Sequence, residues 1–183
     1  KKNRRNSFFK KELEAYLLMT RKERVDPKEI KGSFAGAIGY CQFMPSNFKK
    51  VAVDLDENNQ IRLDKPNDAI GSIANYLRIS GWERGTPVAV EVNFDGKRFD
   101  KFKTGYTTSY DRNDLVGIKP VERFYYDKHV SLIKLKKKDS DELWYATKNF
   151  KVITTYNRSA YYAMAVHQLA SKIKAEYLKQ KNN

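Results

Sequence analysis

The stretch Val88-Ala89-Val90-Glu91-Val92-Asn93-Phe94-Asp95-Gly96 decides the fold class. Val88, Val90 and Val92 alternate with Ala89, Glu91 and Asn93, the two-residue period of a strand resting one face on a core, and Asp95-Gly96 carries hairpin-turn chemistry. Upstream the period is helical. Between Ser7 and Thr20, the residues Phe9, Leu13, Tyr16 and Leu17 form one stripe, which predicts an amphipathic helix docked on a core. Pro45-Ser46 starts a second helix leading into Phe48 to Val53. Pro66, Asn67 and Asp68 start a third, with Ile70, Ile73, Ala74 and Leu77 as its apolar stripe and Gly81 as its stop. Downstream, Val130 to Leu135 and Leu143 to Phe150 read as further strands. Tyr162, Val166, Leu169, Ile173 and Tyr177 return to helical spacing, and Lys179 to Asn183 is expected to fray. The order helices, strands, helix implies an α+β protein with three segments: a helical arm and core over 1–82, a small antiparallel β subdomain over 83–150, and a C-terminal helix over 151–183 returning to the core.

With 36 Lys plus Arg against 22 Asp plus Glu, the 183 residues carry a net charge of +14, which attracts polyanions without choosing among nucleic acid, acidic lipid or an anionic wall polymer. One Cys excludes an internal disulfide and a Cys-based zinc site. The start Lys1-Lys2-Asn3-Arg4-Arg5 has neither an initiator Met nor an apolar signal stretch, so the sequence reads as a mature protein or a cut fragment. The basic clusters Lys1 to Arg5, Lys134 to Lys138 and Lys172 to Lys181 fall on different elements with no binding signature, so no nucleic-acid partner is expected.

Two segments carry candidate chemistry. In Asp54 to Asp68, side-chain oxygens at Asp54, Asp56 and Asn58, a residue tolerant of positive φ at Asn59 and an apolar Ile61 match the front half of a calcium-binding helix-loop-helix, with Gln60 as a further candidate ligand. Lys65 stands where the bidentate acid belongs, so Asp68 must supply it. We read 54–68 as a structural Ca2+ loop rather than a polar turn. The second segment, Gly39-Tyr40-Cys41-Gln42-Phe43-Met44-Pro45-Ser46, follows three glycines within eight positions (Gly32, Gly36, Gly39). It could wall a sugar cleft, with aromatic faces for pyranose rings and an amide for a hydroxyl or acetamido group. By composition alone a buried turn filled by Phe43 and Met44 is favoured. Cys41 has no base nearby in sequence and reads as a small buried thiol; His167 reads as a partly buried structural residue.

Taken together, Lys31 to Ser46, the loop Asp54 to Asp68 and the run Asp68 to Tyr76 resemble the membrane-bound lytic murein transglycosylase B family. The resemblance extends to Arg4-Arg5 with Phe8-Phe9, to Glu12-Leu13-Glu14, and to Asn149-Phe150 and Tyr156-Asn157 with Tyr162 to Val166; it is weakest from Glu83 to Glu142. It implies a mainly helical lysozyme-like core, an inserted antiparallel β unit and a calcium-type loop. The implied activity is cleavage of the β-1,4 bond between N-acetylmuramic acid and N-acetylglucosamine without water. In it a single Glu protonates the bridging oxygen and then helps to remove the C6 hydroxyl proton, closing a 1,6-anhydro ring. By the same resemblance that Glu lies upstream of this chain, Glu12 and Glu14 are not its substitutes, and Ser33 and Gln42 are supporting catalytic groups. Tyr40, Phe43, Tyr76, Tyr156 and Tyr162 would offer sugar-facing surface with Asn157 as a polar contact, and Arg4 and Arg5 would meet stem-peptide carboxylates. The implied partners are peptidoglycan glycan strands and stem peptides, together with cell-wall synthesis or division proteins, in a periplasmic setting whose outer-membrane anchor would lie outside this chain. A noncatalytic peptidoglycan-binding or scaffold module is the alternative.

Overall fold

The computed structural model describes residues 4–96, 98–138 and 140–182, which fall into two compact units, 1–79 and 80–183. The first unit holds α1 (Arg4–Glu23), α2 (Pro45–Val51) and α3 (Pro66–Ile79). Its core gathers Met19, Val25, Ile38, Phe48, Val51, Leu63 and Ala69. The helix α1 forms where expected but buries a different face. Phe9, Leu13 and Leu17 are 42%, 58% and 49% exposed, whereas Glu12, Met19, Thr20 and Glu23 are buried. The physical reason is that both acids find donors inside. The Glu12 carboxylate accepts from the Ser46 N–H at 2.9 Å and hydroxyl at 2.7 Å, and Glu23 accepts from the Ile61 N–H at 2.8 Å. Glu12 thereby satisfies an orphan donor at the start of α2, where Met44 supplies no side-chain cap. In α3 the register also differs from the expected stripe: Ile70 is 63% exposed and Asp68, Ala69, Gly71 and Ser72 are buried.

The second unit is built on an antiparallel sheet in the order β2-β1-β4-β3, from β1 (Ala89–Phe94), β2 (Ile118–Pro120), β3 (Ser131–Lys136) and β4 (Asp141–Ala146). Both faces of the sheet are covered. Val90, Val92, Leu132, Leu143 and Tyr145 pack with Phe99, Leu115, Ile118 and Val130 on one side. On the other, Ala89, Ile133, Leu135 and Ala146 pack against Phe150 and Ile153 of α4 (Lys148–Tyr156) and Ala163 and Met164 of α5 (Ala160–Asn182). Sheet and C-terminal helices thus share one unit, with no break at the boundary expected near 150. Three local expectations are corrected. Asp95-Gly96 turns, with Gly96 at φ 63°, but leads into a short 3-10 turn (Arg98–Lys101), and the partner strand of β1 arrives only at Ile118. The strand expected through Phe150 ends at Ala146, because the Thr147 hydroxyl accepts from the Asn149 N–H and caps α4. Helix α5 runs through 179–182 where fraying was expected; Asn183 lies outside the described residues.

Candidate functional site: a glycine-rich cavity wall and an acidic loop

In the first unit, Ser33 N–H donates to the Ala37 C=O at 2.8 Å, Ala37 N–H donates to the Ser33 hydroxyl at 3.1 Å, and Gly36 N–H donates to the Ser33 C=O at 2.8 Å. This tight turn forms one wall of a cavity of about 360 Å³, facing Phe9, Glu12, Leu13 and Tyr16 of α1. Small residues let the turn come close to the helix, and Phe34 stands fully exposed beside it. Among the described residues lining the cavity Glu12 is the one carboxylate, and both its oxygens are engaged by Ser46.

The turn continues into Gly39 to Met44. Gln42 sits at φ 51°, a left-handed conformation uncommon outside glycine, and its side-chain amide donates to the Gly39 C=O at 3.0 Å. Gln42 is exposed but does not line the cavity that holds Ser33. Tyr40 is 69% exposed, in a second hollow with Glu29, Lys31 and Asp64. Asp64 receives two bonds from the Arg62 guanidinium, at 2.8 and 2.7 Å, which hold its carboxyl below the usual carboxylate range. Phe43, expected to face sugar, is 5% exposed and packs on Tyr76 with ring centroids 5.6 Å apart. Cys41 is fully buried, its thiol donating to the Ala69 C=O at 3.4 Å, and burial pushes its pKa up to about 11. A thiol held protonated is not a nucleophile.

Tyr156, Asn157 and Tyr162 lie in the second unit, at the junction of α4 and α5. The two tyrosine rings stack at 6.2 Å with an interplanar angle of 7°, and Asn157 beside them is exposed. Arg5 is exposed on the first turn of α1; the side chain of Arg4 lies outside the described residues. His167 is half-buried with its ring edge-on to Trp144 at 6.3 Å, and burial lowers its pKa.

The acidic loop joins α2 to α3. Asp54, Asp56 and Asp68 bring one carboxylate oxygen each within 4.8 Å of one another, a convergence of like charge that suits a hard cation. Asp68, fully buried, shapes the loop by accepting from Leu55 N–H at 2.9 Å and Arg62 N–H at 2.7 Å, and Asp54 accepts from Asn58 and Asn59 N–H. Asn59 takes the expected positive φ, 64°, and Glu57 does too, at 58°. The Asn58 side-chain oxygen accepts from Gln60 N–H, and the Gln60 side-chain amide donates to the Glu23 C=O at 2.7 Å. These donors fit Ca2+.

Sequence reasoning missed Glu12, whose cap of α2 is invisible in a linear pattern, and Asn149. The latter is fully buried, accepts from Glu83 N–H at 2.9 Å and donates to the C=O groups of Glu83 and Thr86 at 2.8 Å, clamping the turn that precedes β1.

A helical unit with a calcium-type loop beside a glycine-rich cavity, followed by an antiparallel sheet and two helices, defines an α+β protein of lysozyme-like architecture. The chain belongs to the family described as Transglycosylase SLT domain, whose model matches residues 1–171. It is 43% identical over 172 residues to membrane-bound lytic murein transglycosylase B of Escherichia coli (strain K12), covering 93% of this chain and 47% of that protein. The solved structure of the Escherichia coli lytic transglycosylase Slt35 in complex with calcium matches with a TM-score of 0.87 at 42% identity, over 96% of this chain and 56% of that one. SltB3 of Pseudomonas aeruginosa in complex with NAG-anhNAM-pentapeptide matches with a TM-score of 0.81 at 30% identity, over 94% and 48%. The chain spans about half the length of these relatives.

Proposed function

We propose that the protein carrying this chain is a peptidoglycan lytic transglycosylase that cleaves the MurNAc-GlcNAc β-1,4 bond with formation of 1,6-anhydro-MurNAc. The cavity walled by the 33–37 turn supports this reading most, because it joins a small-residue floor and aromatic sides to the Ser33 hydroxyl, the layout of a saccharide cleft. The general acid is a Glu outside residues 1–183. Glu12, the carboxylate of the cavity, is committed to Ser46 and would have to give up two hydrogen bonds to move a proton. Ser33 and Gln42 hold hydroxyl and acetamido groups of the sugar. Tyr40 and Tyr76 add apolar surface and Arg4 and Arg5 meet stem-peptide carboxylates in the first unit; in the second unit, taken by itself, Tyr156 and Tyr162 offer apolar sugar-facing surface with Asn157 as a polar contact. Phe43 is buried against the Tyr76 ring and serves packing. Asp54, Asp56, Asn58, Gln60 and Asp68 hold a structural Ca2+. The substrate places the protein in the periplasm, with partners in cell-wall synthesis or division and an outer-membrane anchor outside 1–183; among the described residues no helix is long and apolar enough to cross a membrane. The engagement of Glu12 equally suits a second reading, a noncatalytic peptidoglycan-binding or scaffold module.

The reading is tested by titrating the chain with NAG-NAM-pentapeptide. Ser33→Ala lowers affinity by about tenfold, the worth of one lost polar contact, while loss of the exposed Ala37 N–H bond to its hydroxyl, worth about 1 kcal/mol, lowers the melting temperature by only a few degrees. Gln42→Gly lowers affinity while melting at the same or a higher temperature, because glycine relieves the φ of 51°. A parallel loss of stability in both variants, with affinity retained, would return Ser33 and Gln42 to purely structural roles.

A further inference from the structure

The sheet register leaves one stretch of β1 edge facing a groove. Strand backbones alternate the side to which they present N–H and C=O. Asn93 is opposite Lys119, the Glu91 C=O accepts from Val121 N–H at 3.0 Å, and on the opposite side the Val88 C=O accepts from Thr147 N–H. By that alternation Ala89 turns its N–H and C=O toward the β2 side. The chain, however, leaves the ladder after Val121, and the space where residue 123 would have paired with Ala89 is a cavity of about 440 Å³.

Its walls are chemically uneven. Thr86 and Ala89 form the sheet side, Arg123 and Tyr125 the opposite side, and Lys174 reaches it from α5. Two cations, Arg123 and Lys174, face it against one carboxylate, Glu122. Tyr125 is 80% exposed, and its hydroxyl accepts from Arg123 at 3.4 Å, a bond that occupies one of five guanidinium donors. A backbone donor and acceptor on a strand edge select a peptide unit. The neighbouring cations select a carboxylate.

We propose that this groove binds the peptide stem of peptidoglycan, one peptide unit pairing with Ala89 while a stem carboxylate meets Arg123 and Lys174. The choice of stem rests on the substrate class given under Proposed function; the groove itself rests on register and charge. Tyr125 supplies apolar surface to the side chain between those two contacts.

The test follows backbone amide shifts of the 15N-labelled chain during titration with a sugar-free stem pentapeptide, then with a peptide-free NAG trisaccharide. Binding in the groove gives saturable shifts at Ala89 and Glu122 to Tyr125. The double variant Arg123→Gln/Lys174→Gln, both positions exposed, weakens the pentapeptide at least tenfold with an unchanged melting temperature. Pentapeptide shifts absent from these residues, or equal affinity in the double variant, would overturn the proposal. So would a short single-stranded DNA that shifts the same residues at lower concentration than the pentapeptide. The trisaccharide separates the two readings: shifts at Ser33 and Gly36 keep the glycan reading alive even if the groove fails, and silence at both places ends both.

Discussion

Gly39→Ala is expected to destabilise the first unit by about 3–5 kcal/mol, enough, at about 4–8 °C per kcal/mol for a unit of this size, to lower its melting temperature by at least about 12 °C. A Cβ at Gly39 would sit 2.3 Å from the Leu63 carbonyl oxygen and 2.5 Å from its carbon. Those are backbone atoms, and they cannot swing aside: the Leu63 C=O is held by Tyr40 N–H at 2.8 Å. The φ of 63° adds a smaller cost, about 1 kcal/mol for a residue with a side chain. Gly36→Ala supplies the comparison. Gly36 also has a positive φ, 86°, yet its nearest neighbour would be the Met44 methyl at 3.9 Å, so this variant should lose only the conformational part. Equal melting of the two variants would show that the loop does not press on Leu63.

Asp68→Ala is expected to cost about 3 kcal/mol, because two backbone N–H groups, Leu55 and Arg62, lose a buried charged acceptor. It should also abolish the response to calcium. If the proposed Ca2+ site is occupied in the unaltered chain, calcium at a hundredfold excess over its Kd should add about 2.7 kcal/mol to stability, and a chelator should remove it. Asp56→Ala keeps these effects apart. Asp56 is exposed, so its loss should leave the chelated chain as stable as before while weakening the calcium response. Identical melting of the unaltered chain with calcium and with chelator would remove the cation from the account.

The convergence of Asp54, Asp56 and Asp68 was legible in part, because Asp54 and Asp56 alternate within one short stretch, where local spacing is geometry. Helix α1 was legible as a helix but not as a surface. Hydrophobic periodicity sends Glu12 and Glu23 to solvent, and only tertiary donors at Ser46 and Ile61 bring them inside. The same holds for α3, where Asp68 and Ser72 are buried by their bonds to Leu55, Arg62 and Val53. Strand β1 was read from its alternation, but the pairing of Asn93 with Lys119 is non-local and leaves no trace near Asp95-Gly96. Ser33 and Gln42 were marked by resemblance and not by composition. What composition favoured, a turn with Phe43 in the core, holds for Phe43, while the positive φ of Gln42 had no sequence signal at all.

The reading of the 33–37 turn as the wall of a lytic transglycosylase's glycan cleft is a proposal about chemistry. Its most direct test is the mass of muropeptides released from peptidoglycan sacculi by the complete polypeptide that carries residues 1–183. Anhydro products are expected, each lighter by one water than the corresponding product of a hydrolytic muramidase, together with their loss when Ser33 is replaced by Ala. Hydrolytic products, or anhydro products released undiminished by the Ser33→Ala protein, would contradict it.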